Sequence, residues 1–374
     1  MIPYGRQCIS EDDIDAVVRV LRGDWLTTGP YVEEFEKEIC RYVGCKYAVA
    51  VNSGTSALDI AIQALQISQG SEVITTPFTF AADANAVMYN GLVPVFADIE
   101  KETRNIDPQS IREKITGRTK AIIYVDYAGQ PCNIDEIRKI ADEHSLYLID
   151  DACHALGAEY HGKKIGNFGD MTILSFHPVK HITTGEGGAV LTNNKELYDF
   201  LKLARTHGID KGAYQRFCAT PGWGYDMKFL GRNYRITDIQ AALGTSQIKK
   251  LDSFVKRRNE IAKIYNEAFA SVPEVKAPVT LRDVKHAWHI YTILLNGPKR
   301  DDVYNKIKAL GIGVNVHYIP VYRLSYYKEL FNIDPKFYPV TEDVFSRIIT
   351  LPLYPMMSDD EVQCVIKAVK KAVI

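Results

Sequence analysis

Short apolar segments alternate with longer segments of helical periodicity along the first two thirds of the chain. From residue 47 onward the apolar segments are YAVAVNS, EVITTPFT, VPVFADI, KAIIYVDY, LYLID, MTILSF and GGAVLT. Segments such as TSALDIAIQAL and IDEIRKIADEH lie between them and carry apolar residues at the spacing of a helix face. Strands that alternate with helices predict an α/β domain whose mostly parallel sheet is covered by helices.

Two local signals add detail to this pattern. Ser10 is followed three residues later by Asp13, which resembles a capping box, and apolar residues at helical spacing follow, so a first helix is predicted there. The link between MTILSF and GGAVLT is too short for a helical crossover. We therefore predict that these two strands are antiparallel or are not neighbours.

The pattern changes after about residue 245. A long charged helix, QIKKLDSFVKRRNEIAKIYNEAF, is predicted there, followed by the strand-like segment AWHIYTILL and a second α+β region. A chain of 374 residues is long for a single core. We predict a large α/β domain over residues 1–245 and a smaller C-terminal α+β domain over residues 246–374.

Charge and cysteine content exclude several classes of function. Lys and Arg number 45 against 46 Asp and Glu, so no overall field attracts nucleic acid or a membrane surface. The seven cysteines are scattered and form no C-x-x-C pair, which favours a reducing cytoplasm. We find no secretion signal and no run of about 18 apolar residues, so we expect a protein that is neither exported nor inserted in a membrane.

Two strand ends carry candidate chemistry. The segment AVAVNSGTSALDIAI runs from a strand into a helix whose first N–H groups could bind a phosphate, although a plain capped helix has the same pattern. LYLIDDACHALG ends a strand with Asp150 and Asp151, and open α/β sheets bind ligands beyond such strand ends. A metal site or a cysteine nucleophile is the weaker interpretation, because no second ligand cluster matches this one.

Lys180 completes a recognisable order. A single lysine in a turn is usually a solvated surface charge, but Lys180 follows Asp151 by 180 − 151 = 29 residues. A phosphate site, an acid at a strand end and a lysine in a turn are the order expected for pyridoxal phosphate. That cofactor needs a lysine for covalent attachment and a carboxylate that keeps its ring nitrogen protonated. We expect no metal.

Eight segments together resemble the DegT/DnrJ/EryC1/StrS family of nucleotide-sugar aminotransferases. They are PYGRQCISEDDIDAVVRVLRGDWLTTGPYVEEFE, NSGTSAL, TTPFTFAADANAV, DDACHALGAEYHGKKIGNFGD, SFHPVKHITTGEGGAVLTN, RTHGI, NYRITDIQAALG and VHYIPVY. The resemblance covers essentially the whole chain. It implies the fold type I aminotransferase architecture, with a mixed, mostly parallel seven-stranded sheet in the large domain and a smaller C-terminal domain.

The resemblance also implies roles for individual residues. Lys180 would hold the cofactor covalently, Asp151 would pair with its ring nitrogen, and His154 would lie near its 3-hydroxyl. The remaining implied contacts are Gly54, Thr55 and Ser175 on the phosphate, Phe80 stacked on the ring, Asn233 on the phosphate of the neighbouring subunit, and His317 and Tyr318 facing the sugar. Packing or turn roles stay open for His154 and for Phe80, Asn233, His317 and Tyr318.

The implied reaction is a transamination in the cytoplasm by a homodimer with shared active sites. L-glutamate would donate an amino group to C4 of a UDP-linked 4-keto-6-deoxy-N-acetylhexosamine. Amination at C3 or C4 of another dTDP-, GDP- or UDP-linked keto sugar is the first alternative. A sugar dehydratase of this family would carry histidine in place of Lys180, and a catalytically silent scaffold would have no chemical reason to keep both Asp151 and Lys180.

Overall fold

The computed structural model describes residues 1–210 and 224–374. The helices in these ranges are α1 (Glu11–Leu21), α2 (Pro30–Val43), α3 (Gly54–Ala64), α4 (Ala82–Tyr89), α5 (Pro108–Lys114), α6 (Ile134–Glu143), α7 (Lys195–Ala204), α8 (Asp238–Ile248), α9 (Leu251–Phe269), α10 (Arg300–Ala309), α11 (Ser325–Phe331), α12 (Pro339–Arg347) and α13 (Asp359–Val373). The strands are β1 (Tyr47–Val51), β2 (Glu72–Thr75), β3 (Val93–Phe96), β4 (Thr119–Val125), β5 (Tyr147–Asp151), β6 (Glu159–Tyr160), β7 (Lys163–Lys164), β8 (Met171–Ser175), β9 (Gly188–Thr192), β10 (Val275–Lys276), β11 (Val284–Lys285), β12 (Tyr291–Leu295) and β13 (Ile348–Leu351).

A seven-stranded sheet forms the centre of the molecule, with the order β1-β9-β8-β5-β4-β2-β3. Strand β9 is antiparallel to both of its neighbours, and the other strands run in one direction. The predicted fold class is therefore confirmed, and of the two predicted alternatives for MTILSF and GGAVLT the structure has the antiparallel pair. Their short link carries Lys180 around the carboxyl edge of the sheet.

The first helix begins where the sequence predicts. The backbone N–H of Ser10 donates a hydrogen bond to Asp13 Oδ2 at 2.9 Å, which closes the capping box of α1. Asp13 is fully buried and also pairs with the ammonium group of Lys250. This contact connects α1 to the link between α8 and α9. The long helix predicted over QIKKLDSFVKRRNEIAKIYNEAF is divided at residues 249–250, because α8 ends at Ile248 and α9 begins at Leu251.

Helix α9 contributes to two apolar cores. Leu251 and Val255 pack in the core between the central sheet and the helices on one of its faces. Ile261 and Tyr265, farther along the same helix, pack in a second core with the sheet β10-β12-β13 and helix α13. The division into domains at residues 245 and 246 stays a prediction, and α9 joins the two cores on either side of it.

Buried Arg258 stabilises the place where the two cores meet. Its Nη1 donates to the carbonyl oxygens of Trp288, His289 and Leu353, at 3.2, 3.0 and 2.8 Å. A charged donor shared among carbonyls from two separate segments fixes those segments relative to α9, since each carbonyl would otherwise be buried without a partner.

The predicted strand AWHIYTILL forms only in its second half, as β12. The first half leaves extended geometry at Trp288, whose φ is 51°. The backbone N–H groups of Ala287 and His289 instead donate to Gly129 and Ala128, at 2.8 and 2.9 Å. The loop after β4 therefore captures this segment, and His289 is carried toward the carboxyl edge of the central sheet.

Two further observations concern cysteines and membranes. The six cysteines within the described ranges are free thiols, and Cys218 lies outside those ranges. Where the structure describes helices, none is both long and apolar enough to span a bilayer. The cytoplasmic location inferred from the cysteine pattern stays a prediction.

Candidate active site

The candidate site lies at one edge of the central sheet, where β1, β5 and β8 end. These three strands run in the same direction, because β9 is antiparallel to β1 and β8 while β5 is parallel to β8. Their last residues are Val51, Asp151 and Ser175. The edge thus collects the start of α3, the acid and the hydroxyl that the sequence predicts to act together.

The turn from β1 into α3 is pressed closely against its neighbours. Ser53 caps α3 by accepting a hydrogen bond from the N–H of Ser56 at 3.0 Å. A Cβ on Gly54 would lie 3.0 Å from Ser175 Cβ, and one on Gly188 would lie 2.4 Å from the carbonyl oxygen of Ser53. Glycine is required at residue 188, because the backbone of Ser53 cannot move aside, and Gly54 leaves little room beside the Ser175 side chain.

This turn suits a phosphate group. The buried Gly54 and the half-buried Thr55 lie in the first turn of α3, where backbone N–H groups point out of the helix and the helix dipole is positive. The hydroxyl of Ser175 would lie 3.3 Å from a Cβ at Gly54, so a third polar group faces the same space. The residues present therefore fit the phosphate of the predicted cofactor.

Asp151 is buried at the end of β5. Its Oδ1 accepts a hydrogen bond from the backbone N–H of Cys153 at 3.0 Å. Its charge raises the pKa of the nearby Lys180 ammonium group, which places the acid and the lysine in one site. A buried carboxylate with one oxygen already fixed is suited to hold a protonated ring nitrogen with the other.

The amine of Lys180 is available for covalent chemistry. Burial lowers the pKa of Lys180, and this is the largest effect on it; the charges of Cys153, Asp151 and Asp83 act in the opposite direction. Within the described ranges, no hydrogen bond or ion pair occupies its Nζ atom. A lysine with a lowered pKa and an unengaged amine has the properties of a nucleophile and of a proton carrier.

The alternative interpretation of Asp151, Cys153 and His154 as a nucleophile or metal site is not supported. Burial and the charge of Asp151 raise the pKa of the Cys153 thiol well above its usual value, so the reactive thiolate is disfavoured. Within residues 1–210 and 224–374, no group of three or more His, Cys, Asp or Glu side chains is arranged to hold a metal ion.

His154 is held as a neutral imidazole in a defined tautomer. Burial, followed by the charge of Lys180, lowers the pKa of His154 well below its usual value. Its Nδ1 accepts a hydrogen bond from the N–H of Ala128 at 3.3 Å, so the proton belongs on Nε2. That nitrogen donates to the hydroxyl oxygen of Tyr318 at 3.0 Å, which leaves the Tyr318 proton free to point into the site.

His317 and Tyr318 reach the same place from the C-terminal part of the chain. Burial lowers the pKa of His317 to about 4, and Lys180 adds to this effect. His317 Nδ1 lies 2.9 Å from Thr350 Oγ1, and its carbonyl accepts from the Tyr127 hydroxyl at 2.6 Å. Both predicted substrate residues therefore lie beside the predicted cofactor residues, across the contact between the two cores.

Two predicted residues lie apart from this group. Phe80 is 64% exposed, and its ring centroid lies 6.4 Å from that of Tyr318, at the open side of the site. Asn233 is exposed, and its backbone pairs with Thr206. The structure of one chain does not bring Asn233 to Lys180, and its predicted role concerns a second subunit.

Sequence reasoning missed two residues that the fold adds to the site. The His289 ring lies 4.3 Å from that of His154 and is buried. Asp83 is buried in the first turn of α4, and its charge raises the pKa of Lys180. In the sequence, His289 is a histidine inside an apolar run and Asp83 is an acid inside an alanine-rich segment. Neither pattern indicates an active-site residue.

Comparison with known proteins identifies the class of enzyme. The model of the DegT/DnrJ/EryC1/StrS aminotransferase family matches residues 7–370. The chain belongs to this family, and it is a pyridoxal phosphate-dependent aminotransferase of the sugar-modifying kind.

Several curated relatives are similar over most of their length. An uncharacterized protein of Methanocaldococcus jannaschii is 46% identical, with 100% of this chain and 97% of the relative covered. The spore coat polysaccharide biosynthesis protein SpsC of Bacillus subtilis is 41% identical, with 100% and 97% covered. The UDP-4-amino-4,6-dideoxy-N-acetyl-beta-L-altrosamine transaminase of Campylobacter jejuni is 43% identical, with 88% and 87% covered.

Solved structures agree with the fold. Helicobacter pylori PseC, an aminotransferase of pseudaminic acid biosynthesis, has a TM-score of 0.94 and 36% identity, with 100% of this chain and 99% of PseC covered. A sugar aminotransferase candidate of Streptococcus pneumoniae, solved in its PLP form, has a TM-score of 0.93 and 30% identity, with 100% and 98% covered. A relative in its PLP form supports the cofactor that the phosphate-binding turn at the start of α3, Asp151 and Lys180 suggest.

The Tyr318→Phe substitution tests the arrangement around His154. It removes the acceptor of the buried Nε2–H, and an unpaired buried donor costs about 1–3 kcal/mol. We expect lower thermal stability together with weaker binding of pyridoxal phosphate, measured by thermal unfolding and by titration of the cofactor-free protein.

The control is Tyr304→Phe, which removes a hydroxyl that donates to the carbonyl of Val314 at 3.1 Å, away from the site. It should affect stability alone. Equal cofactor affinity in Tyr318→Phe and wild type would show that the His154 contact has no part in cofactor binding.

Proposed function

We propose that this protein transfers the amino group of L-glutamate to C4 of a UDP-linked 4-keto-6-deoxy-N-acetylhexosamine. The product would be UDP-4-amino-4,6-dideoxy-N-acetyl-β-L-altrosamine, on the route to pseudaminic acid. The observation that carries the chemistry is the proximity of the buried Asp151 to the half-buried Lys180, at the edge where the first turn of α3 also lies. The sugar is supported by the named activities of the Campylobacter and Helicobacter relatives.

Different residues of the chain would bind different parts of the cofactor. Bound pyridoxal phosphate would supply an electron sink for charge that develops at the substrate carbon. Gly54, Thr55 and Ser175 would bind its phosphate, and Asp151 would keep its ring nitrogen protonated by offering an opposite charge in a buried place. Phe80 would cover the ring at the open side of the site.

Lys180 would both hold the cofactor and move protons. Burial lowers its pKa, which favours the neutral, basic form of its amine when the amine is free. In the first half of the reaction it would take a proton from Cα of the amino donor, and in the second half it would return a proton to C4 of the sugar. Both substrates then use one site in turn, which gives ping-pong kinetics.

His154, His317 and Tyr318 would define the site around the reacting atoms. His154 offers no charge, because its pKa is lowered, so it can orient a hydroxyl without repelling the Lys180 ammonium. Tyr318 is held by His154 and keeps its own proton for a substrate or cofactor oxygen. His317, which is also neutral above its pKa of about 4, would face the sugar.

Amination of another keto sugar is the alternative within the same chemistry. The relationship to SpsC, named for spore coat polysaccharide biosynthesis, favours keeping this candidate, since that protein is nearly as similar as the transaminase. The residues that carry transamination are the same in either case. Only the sugar and nucleotide contacts would differ.

A panel of sugar nucleotides tests the proposed function. The protein is incubated with L-glutamate and UDP-, dTDP- or GDP-linked 4-keto and 3-keto sugars, and product masses are read. We expect amination of the UDP-linked 4-keto-6-deoxy-N-acetylhexosamine with a kcat/KM at least tenfold above the others. Preference for a dTDP- or GDP-linked sugar would replace the assigned substrate, and no amination of any sugar would contradict the class of acceptor.

We also propose a homodimer whose active sites are shared. Asn233 is exposed in the single chain and pairs its backbone with Thr206, so its side chain can meet a second subunit. There it would reach the phosphate bound at Gly54 and Ser175. A single subunit would then hold the cofactor poorly, because each phosphate site would be incomplete.

Two inactive variants should rescue one another if this is correct. Lys180→Ala loses the reactive amine in its own site, whereas Asn233→Asp places a negative charge beside the phosphate in the partner's site. In a mixed dimer one site receives both intact residues. Random mixing makes about half of the dimers mixed, so co-expression should give roughly a quarter of wild-type activity per site.

The pair Lys180→Ala and Asp151→Asn is the matched control. Both residues belong to the site of one chain, so their mixed dimers should contain no intact site and show no rescue. If mixed dimers of Lys180→Ala and Asn233→Asp form but are no more active than each variant alone, Asn233 does not act across the interface.

A further inference from the structure

Asp83 is a buried acid with too few hydrogen-bond donors around its carboxyl group. It lies in the first turn of α4 and is 1% exposed. The Thr79 hydroxyl donates to its Oδ2 at 2.9 Å. Its Oδ1 atom is buried and, within the described ranges, has no hydrogen-bond donor. A single neutral donor is poor compensation for burying a carboxylate.

A second buried acid, Asp151, interacts with the Asp83 side chain. Burial is the largest effect that raises the pKa of Asp83, and the charge of Asp151 and a hydrogen bond with it add to the effect. Ionising two buried carboxyl groups that interact carries a large penalty, which favours a proton on one of them. A protonated Asp83 could donate to Asp151, which would give this buried side chain a second partner.

The hydrogen-bond donors and charged groups near the two acids favour Asp83 as the one that keeps the proton. Asp151 Oδ1 accepts a hydrogen bond from the backbone N–H of Cys153 at 3.0 Å, whereas Asp83 has only the Thr79 hydroxyl as a donor. The other titratable groups that sense the charge of Asp83 are Cys153, Lys180 and Tyr327. Of these only the Lys180 ammonium would favour ionised Asp83, and its own pKa is lowered by burial.

We propose that Asp83 is a positioning residue, a neutral carboxylic acid that donates a hydrogen bond to Asp151 and holds the Asp151 carboxylate in place. This inference rests on the proposed function, in which Asp151 faces the ring nitrogen of the cofactor. The contact fixes one side of Asp151 while the N–H of Cys153 fixes another. Asp151 is then oriented before the cofactor arrives, and its negative charge is kept.

Infrared spectroscopy of the cofactor-free protein tests the protonation state. The difference between wild type and Asp83→Asn at neutral pH should contain the carbonyl band of one protonated carboxylic acid. Two other buried acids, Asp126 and Asp150, also have raised pKa values, but they are present in both proteins and cancel. A difference spectrum that contains only carboxylate bands would overturn the proposal.

The pH dependence of stability gives a second readout without cofactor. Asp83 has a raised pKa when folded and one of about 3.9 when unfolded, so above that pH the native state holds an extra proton. Wild-type stability is therefore lost as pH rises between the two values. Asp83→Asn lacks this proton, so its melting temperature relative to wild type should increase with pH from about 4 upward. A constant or decreasing difference would contradict a neutral Asp83.

Activity then separates a positioning role from simple packing. The side-chain amide introduced by Asp83→Asn can still donate to Asp151, whereas Asp83→Ala leaves no donor there. We expect Asp83→Ala to lose roughly tenfold or more in kcat, as for a lost hydrogen bond to a charged group, and Asp83→Asn to lose much less. In Asp83→Ala the pH at which the absorbance of bound cofactor changes should also move, and in Asp83→Asn it should not.

The outcomes also separate this inference from the proposed function. If the protein aminates no sugar or binds no cofactor while the infrared band and the stability difference are present, the proton assignment stands and the proposed function fails. If the enzyme aminates the sugar but the two variants lose activity equally, or no protonated carboxylic acid is found, Asp83 is not the positioning donor.

Discussion

The burial of Asp151 beside the Lys180 amine is the constraint on which the site depends. A carboxylate at the end of β5 and an amine in the turn after β8 are costly to bury separately, and each reduces the cost of the other. The parallel pairing of β5 and β8 sets the positions from which the two groups meet. At the same edge the first turn of α3 lies beside the hydroxyl of Ser175. The pair of Asp151 and Lys180 and the phosphate-binding turn are therefore both positioned by the carboxyl ends of neighbouring strands.

The C-terminal part of the chain completes this edge through packing. Arg258 binds the carbonyl groups of Trp288, His289 and Leu353 and holds them against α9. The loop after β4 captures the segment before β12, and the His289 ring consequently packs on that of His154. His154 therefore lies between the sheet edge and the residues that close over it, and its tautomer is defined from both sides by Ala128 and Tyr318.

Much of the fold could be predicted from the sequence, because the period of the apolar residues distinguishes strands from helices locally. The shortness of the link that holds Lys180 also limited β8 and β9 to an antiparallel pair or to strands that are not neighbours. The features that escaped prediction depend on distant contacts. The break between α8 and α9 accompanies an ion pair of Lys250 with Asp13, and the shortened β12 reflects the left-handed φ of Trp288 and its hydrogen bonds to a remote loop.

The same distinction applies to the site. Lys180 and Asp151 could be proposed because their residue types, order and spacing match the needs of the cofactor, and the resemblance to a known family supplied roles for their neighbours. Asp83 could not be proposed, since an acid in an alanine-rich helix has the pattern of a solvated position. Its meaning appears only when folding buries it in the first turn of α4, where the charge of Asp151 raises its pKa.

Reduction of the cofactor-loaded protein with borohydride tests the central claim most directly, because it fixes the cofactor to the amine that holds it. After proteolysis and mass spectrometry, the account predicts the added cofactor mass on the peptide that contains Lys180, and no such mass in Lys180→Ala. Attachment to a different lysine in the wild-type protein would contradict the assignment of Lys180 and, with it, the site built around Asp151.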